Sequence, residues 1–416
     1  MYSVNVLATD RVVTIGTFRA PCQGAELLAM KLYIKFASRS VFALAMAGLC
    51  VAQQDPLSLD NALLDAVRHG QIPAADALLR QGANIEAKDK TGATPLNLAL
   101  NLPNASMLKL LLDKGANVEA KAGDGESILA NAARDGRSDF VAALLPRVPN
   151  PEARKEALFE AIRGGAIPVI EIQVPEGEHV PVPPTPSQPE LSPCAKVVEL
   201  LLQSGVPIEA KEEDGSTPLI TAAEYGNTEI VKLLLDKGAD IAAKDNVGMT
   251  ALVAAGCECP IIDMPATYDS LKLLLEHGAD IEANANDGTT ALMAAAGWGR
   301  TENAKLLLDS GANIEVKDKA GDTALLIASK GSAYPTAETV ELLVERHTNI
   351  EARNRHSQTA LMLAASGGGY EAQEIVKLLL RSGADPNAKN SHGDTAMSLA
   401  LKSGHPNVVR LLQSRP

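Results

Sequence analysis

A Gly-Ala dipeptide closes the same short motif again and again along the chain. It occurs at Gly82, Gly115, Gly238, Gly278, Gly311 and Gly383, with Gly205-Val206 and His347-Thr348 filling the same slot. The steps from 82 to 115, from 205 to 238 and from 278 to 311 are each 33 residues. A period in this range means stacked supersecondary units rather than one closed core. Asp214–Asp245 writes one unit in full: DGSTPLITAAEYGNTEIVKLLLDKGADIAAKD. Asp214-Gly215 is a tight-turn dipeptide. Thr217 is placed to cap a helix, and Pro218 then sits at the first helical position, where its missing N–H is harmless. Leu219, Ala222 and Ala223 fall on one helical stripe, and Gly226 supplies the left-handed residue that ends it. Asn227 is expected to cap a second helix, with Glu229 in its first turn favoured by the helix dipole. Ile230, Val231, Leu234 and Leu235 form the apolar face of that helix, and Gly238 stops it. Two such helices leave an apolar side that neither buries alone, so the unit must stack on copies of itself.

The copies are legible. The first-helix motif reads TPLNLA from Thr94, TPLITA from Thr217, TALVAA from Thr250, TALMAA from Thr290, TALLIA from Thr323, TALMLA from Thr359 and TAMSLA from Thr395. The second helix reads LKLLLDKGANVEA from Leu108, VKLLLDKGADIAA from Val231, LKLLLEHGADIEA from Leu271 and AKLLLDSGANIEV from Ala304. In these motifs the chain resembles ankyrin-repeat proteins over roughly residues 57–416. The resemblance implies an all-α ankyrin-repeat solenoid of about ten helix-turn-helix units joined by β-hairpin-like turns. The His that usually follows Thr-Pro-Leu in that family is absent from every copy, so its hydrogen bonds to the turns are replaced or lost. The first copy, from Asn61 to Glu86, lacks the Thr-Pro-Leu motif and carries Arg68, His69 and Gln71, as an end cap would.

Residues 30–54 read MKLYIKFASRSVFALAMAGLCVAQQ. Lys31, Lys35 and Arg39 precede an apolar run, Val41–Leu49, that is too short to span a bilayer. Cys50-Val51-Ala52 then ends in a small residue suited to signal-peptidase cleavage. This is the layout of a secretory signal starting at Met30. Residues 30–52 are therefore read as a signal peptide, 1–29 as an over-extended start or disordered, and 55–416 as the solenoid, with a Pro-rich insert at 167–193. The expected location is the bacterial periplasm or the exterior. A lipoprotein signal with Cys50 lipidated is the rival reading, but Leu49 stands where a small residue is wanted.

Charge narrows the partner. Five of the 38 basic and two of the 51 acidic side chains fall in residues 1–52, which leaves 33 basic against 49 acidic, a net of −16. Such a surface repels nucleic acid and anionic lipid and suits basic or neutral proteins. The expectation is a protein partner, no nucleic acid, no membrane insertion beyond the signal segment, and a monomer.

The irregularities are insertions. Ile167–Pro193 holds eight prolines, which favours polyproline II and forbids a helix. Cys257–Tyr268, Gly331–Thr336 and Ser366–Glu371 lengthen three other copies. All four fall between the first and second helix, and so on one edge of the stack.

No catalytic motif appears: there is no HExxH, GxSxG, P-loop or strand-linked GxGxxG. The chain is read as a non-enzyme without a cofactor. Cys194, Cys257 and Cys259 follow the signal, an odd number for an exported protein. Metal or redox handling by Cys257 and Cys259 is an alternative function, although their one-residue spacing is not that of a zinc knuckle. Delivery into a host cell as an effector is another. The favoured reading is a scaffold that binds another protein. Ankyrin-type proteins usually grip partners with turn tips and first helices. Tyr225 and Trp298 share one slot, just before the Gly that ends the first helix, and Arg134 takes the corresponding place in another copy. Glu213, Asn286, Lys319 and Arg355 lie at turn tips. These seven are the candidate contacts, since large aromatics and Arg dominate binding hot spots.

Overall fold

The structure is a computed structural model describing residues 2–8, 11–18, 56–119, 121, 125–165, 191–257, 267–330, 336–367 and 371–414. The expected signal segment, Cys259 and the Pro-rich insert up to residue 190 lie outside the described residues.

Among the described residues, ten helix pairs follow one another. The first three are α1 (Pro56–Arg68) with α2 (Ile72–Arg80), α3 (Pro95–Ala99) with α4 (Ser106–Asp113), and α5 (Ile128–Arg134) with α6 (Ser138–Leu144). The fourth is α7 (Pro151–Gly164) with α8 (Pro193–Gln203), and the fifth, at the centre, is α9 (Pro218–Glu224) with α10 (Thr228–Asp236). Then come α11 (Ala251–Gly256) with α12 (Thr267–Glu276), α13 (Ala291–Gly297) with α14 (Thr301–Asp309), and α15 (Ala324–Ala328) with α16 (Ala337–Glu345). The last two pairs are α17 (Ala360–Gly367) with α18 (Ala372–Arg381) and α19 (Ala396–Lys402) with α20 (Pro406–Gln413). This is the all-α solenoid that the period implies. One element departs from it. Strands β1 (Tyr2–Ala8) and β2 (Arg11–Phe18) pair antiparallel, with a bulge between Ser3 and Val4. Their sequence is rich in β-branched residues, which favour strands, and it lies in the stretch read as an over-extended start.

The helices form where the motif places them. Thr94, Ser127, Thr217, Thr250, Thr290, Thr323 and Thr395 each accept the backbone N–H three residues on, in extended N-cap geometry. Asn227 does not cap α10. Its amide instead donates to the Ile162 carbonyl at 2.6 Å and ties the fifth unit to the fourth. Thr359 is buried and its hydroxyl has no partner among the described residues.

One apolar core runs from Leu63 to Leu412. First helices pack closely on first helices because alanines meet there: Ala222, Ala223, Ala254, Ala255, Ala295 and Ala296 are all fully buried. Second helices carry leucines and stack less tightly at most interfaces; between α3 and α5 and between α15 and α17 the first helices are the looser pair. Close spacing on one side only bends the stack toward that side. The first helices therefore line its inner face.

The turns are secured without the family's His. Asp89, Asp245, Asp318, Asn354 and Asn390 each accept the N–H groups two and four residues on, closing the turn tip on itself. Adjacent turns are then joined by a carboxylate rung that the sequence reading overlooked. Glu86, Glu209, Glu282, Glu315 and Glu351 accept the backbone N–H of Asn117, Asp240, Asn313, Asn349 and Asp385 in the next unit, at 2.7–2.8 Å. In the central unit Ala242 stands where this Glu should be. Beside it a recess of about 250 Å³ opens, lined by Ile241, Lys244, Leu252 and Asp280.

Ala242→Glu is expected to complete the rung to the Asp280 N–H and to stabilise the protein by about 1 kcal/mol, read as a raised melting temperature. Hydrogen bonds from Thr91, with further ones from Ala93 and Arg68, hold the Asp89 carboxyl down at about 2. The unfolded value is about 4, so this stabilisation is complete above pH 4 and is lost as pH falls toward 2. Asp89→Asn keeps the acceptor, as Asn354 and Asn390 show, but removes the charge. The variant should melt below the wild type at pH 7, and the gap should close between pH 4 and pH 2.

Candidate functional site

Two rows of residues bound the inner face, one at each end of the first helices. Turn tips form the row where the helices begin. The tips are laced by main-chain bonds. The N–H groups of Asn246, Asn286, Lys319, Arg355 and Ser391 donate to the carbonyls of Asp214, Val247, Asp287, Ala320 and His356 at 2.7–3.0 Å. Side-chain amides add a second lacing: Asn246 donates to the Glu213 carbonyl at 3.0 Å and Asn286 to the Asn246 carbonyl at 3.2 Å. The amide of Asn286 is therefore engaged within the stack. Glu213, Lys319 and Arg355 hold exposed side chains on this row. Val247, 56% exposed, joins them and is a contact that the sequence reading missed.

The second row lies where the first helices end. Tyr225, Cys257 and Trp298 are the C-cap residues of α9, α11 and α13. Tyr225 and Trp298 are half-buried. Cys257 lies between them in the row, a placement hidden in the sequence by the insertion that starts there.

Arg134 behaves differently from its expected role. Its guanidinium bridges Glu126 and Glu160, the latter at 2.7 Å. Glu160 in turn pairs with Arg163 at 3.0 Å, and Arg163 forks onto both oxygens of Glu212 at 2.5 and 2.6 Å. Burial opposes the Arg163 charge, but Glu212 and Glu160 hold the guanidinium firmly protonated. Arg134 is thus a link in an ion-pair chain that ties the third, fourth and fifth units together.

A family model described as ankyrin repeats (3 copies) matches residues 40–122, 63–155, 192–285, 263–354 and 325–415. Together these matches cover most of the chain. The chain belongs to the ankyrin-repeat family. No protein of curated function matches it in sequence. The ankyrin matches break between 155 and 192, where α7 and the Pro-rich insert fall. Ankyrin repeats are modules for protein–protein interaction and generally work without catalysis. Among the described residues, no helix of this ankyrin stack is long and apolar enough to cross a membrane.

Two thiols of the ankyrin stack lie among the described residues. Cys194 and Cys257 are both free. Burial, helped by the charges of Glu224 and Asp287, pushes the Cys257 thiol up to about 11. Burial beside Asp135 and Glu229 does the same to Cys194. The thiolate is the metal ligand and the nucleophile, and both sites disfavour it. No group of three His, Cys, Asp or Glu among the described residues is placed to hold a metal ion.

Proposed function

We propose that the protein is a binding scaffold of the bacterial envelope, a monomer that grips another protein along its first-helix face after export through residues 30–52. The observation that carries the binding surface is the row of C-caps. Tyr225 and Trp298 sit at equivalent C-cap positions two units apart, and both are half-buried. Large rings held in this way present contact area with little loss of side-chain freedom on binding. Opposite them, Lys319 and Arg355 offer charges at the tips, with Val247 and Glu213 nearby. Asn286 contributes through its position more than through its amide, and Arg134 through the rigidity of the ion-pair chain. The support for export is the sequence layout from Met30 to Ala52.

Trp298→Ala should weaken capture of the partner by about tenfold or more while the melting temperature stays within a few degrees, measured by pull-down from an envelope fraction and by calorimetry. A large fall in melting temperature with capture retained would make Trp298 a packing residue. N-terminal sequencing of the mature protein should begin near Gln53; an intact Met1 on the exported product would overturn the signal reading.

A further inference from the structure

The row of turn tips has a gap. Between α4 and α5 the chain runs from Lys114 to Ser127, enough for a full tip. Between α6 and α7 only Leu145–Asn150 intervene, and Leu145–Arg147 form a 3-10 turn. The fourth unit therefore has no tip. Its first helix is instead extended to 14 residues, and the added turns occupy the base of the missing loop. Arg154 fastens that base. Its guanidinium donates to the carbonyls of Val148 at 2.7 Å, Leu145 at 2.9 Å and Ser204 at 3.1 Å.

What remains above the base is a notch of about 600 Å³, with Val118, Glu119, Lys121 and Ser127 on one side and Glu212 and Glu213 on the other. Its floor is apolar: half-buried Val118 and Ala153 over the edges of Leu129, Val148 and Phe159. Its rim carries Glu119, Glu152, Glu156, Glu212 and Glu213 against Lys121 and Lys155. Lys155 is paired with Glu152 at 2.5 Å, and Glu212 is held by Arg163. Glu119, Glu156 and Glu213 are exposed and have no ion-pair partner among the described residues.

The main chain also faces the gap unfinished. In every later tip, the residue equivalent to Glu213 donates its N–H to the carbonyl of the preceding tip, as Asn246 does to Asp214 and Lys319 to Asp287. At Glu213 the preceding tip is missing, and its N–H has no acceptor among the described residues. An extended chain laid in the notch restores that bond, the way a strand adds to an open edge.

We propose that this notch binds an extended basic peptide segment of the partner, which takes the place of the missing turn. This rests on the protein-binding reading above. The segment accepts the Glu213 N–H with a backbone carbonyl. It sets an apolar side chain on Val118 and Ala153 and directs Lys or Arg to Glu119, Glu156 and Glu213. Alternate side chains of an extended segment point to opposite sides, which suits a floor on one side and a charged rim on the other.

The test uses the full mature chain and two labelled peptides, one alternating Lys with Val and one alternating Glu with Val, followed by fluorescence anisotropy. The Lys peptide should bind and the Glu peptide should not. Glu156→Lys with Glu213→Lys should weaken the Lys peptide by about tenfold or more. Glu276→Lys with Glu345→Lys, the same change of net charge on exposed second-helix positions, should leave it unchanged. Circular dichroism confirms that both double variants fold. The Glu213 amide should exchange more slowly with the Lys peptide bound. Equal binding by both double variants, or none by the wild type, overturns the notch. If the notch variant still captures the natural partner as the wild type does, the notch falls and the protein-binding reading stands. If neither captures one, both fall.

Discussion

The whole stack rests on how closely successive first helices approach. Alanine keeps the side chains short enough, and at a few crossings even a methyl group is too much. A Cβ on Gly256 would lie 2.7 Å from the Ala291 carbonyl oxygen, and one on Gly164 would collide with the backbone of Arg134. The apolar core is continuous from one unit to the next. The burial gained is shared between neighbours, and no unit owns its own core. This explains why the chain tolerates insertions so freely on one edge. The segments between α7 and α8, α11 and α12, α15 and α16, and α17 and α18 all join the two helices of one unit, away from the junctions between units. A fifth extension, Leu100–Ala105 between α3 and α4, does the same. It is fastened by Arg137, which donates to the carbonyls of Leu100 and Leu102 and stacks on Phe140 at 4.0 Å.

The fold was legible because its causes are local and repeated. A Thr cap, a stripe at i, i+3 and i+4, and a left-handed Gly each act within a few residues, and the period multiplies the signal. The bonds between units were not legible, because they depend on which groups meet after stacking. The rung Glu reads in the sequence as an ordinary exposed residue beside the Ile of the motif. Its partner lies 31 to 34 residues on, and only the stacked geometry brings the two together. Asn227 shows the limit from the other side. It occupies a good capping position, yet its side chain turns to donate its amide N–H to a carbonyl of the preceding unit, and its oxygen caps nothing.

The candidate contacts divide along the same line. Tyr225 and Trp298 were visible as aromatics in one slot of the repeat, and the helix ends place them in one row. Cys257 belongs to that row but was hidden by the insertion that begins with it. Arg134 looked like a surface hot spot because Arg often is one, but two carboxylates, Glu126 in the turn before α5 and Glu160 on α7, claim it. Whether a charged side chain is free or engaged is a tertiary fact. A single sequence read at one period carries little of it.

The central unit and the fourth unit represent opposite kinds of departure. The central one looks the most regular, yet lacks the rung carboxylate at Ala242, so its regularity lies in its helices and not in its coupling to the next unit. The fourth looks the most degraded, yet it is heavily secured. Arg154 satisfies three carbonyls where the turn is missing, Arg163 forks onto Glu212, and Gly164 permits the tight crossing over α5. A turn lost by simple decay leaves unsatisfied carbonyls at its base. Here the base is closed by dedicated side chains while the space above it stays open between two acidic tips. Such a combination is stable as a stack and incomplete as a surface, and incompleteness at an edge of unpaired main chain is what a bound segment relieves.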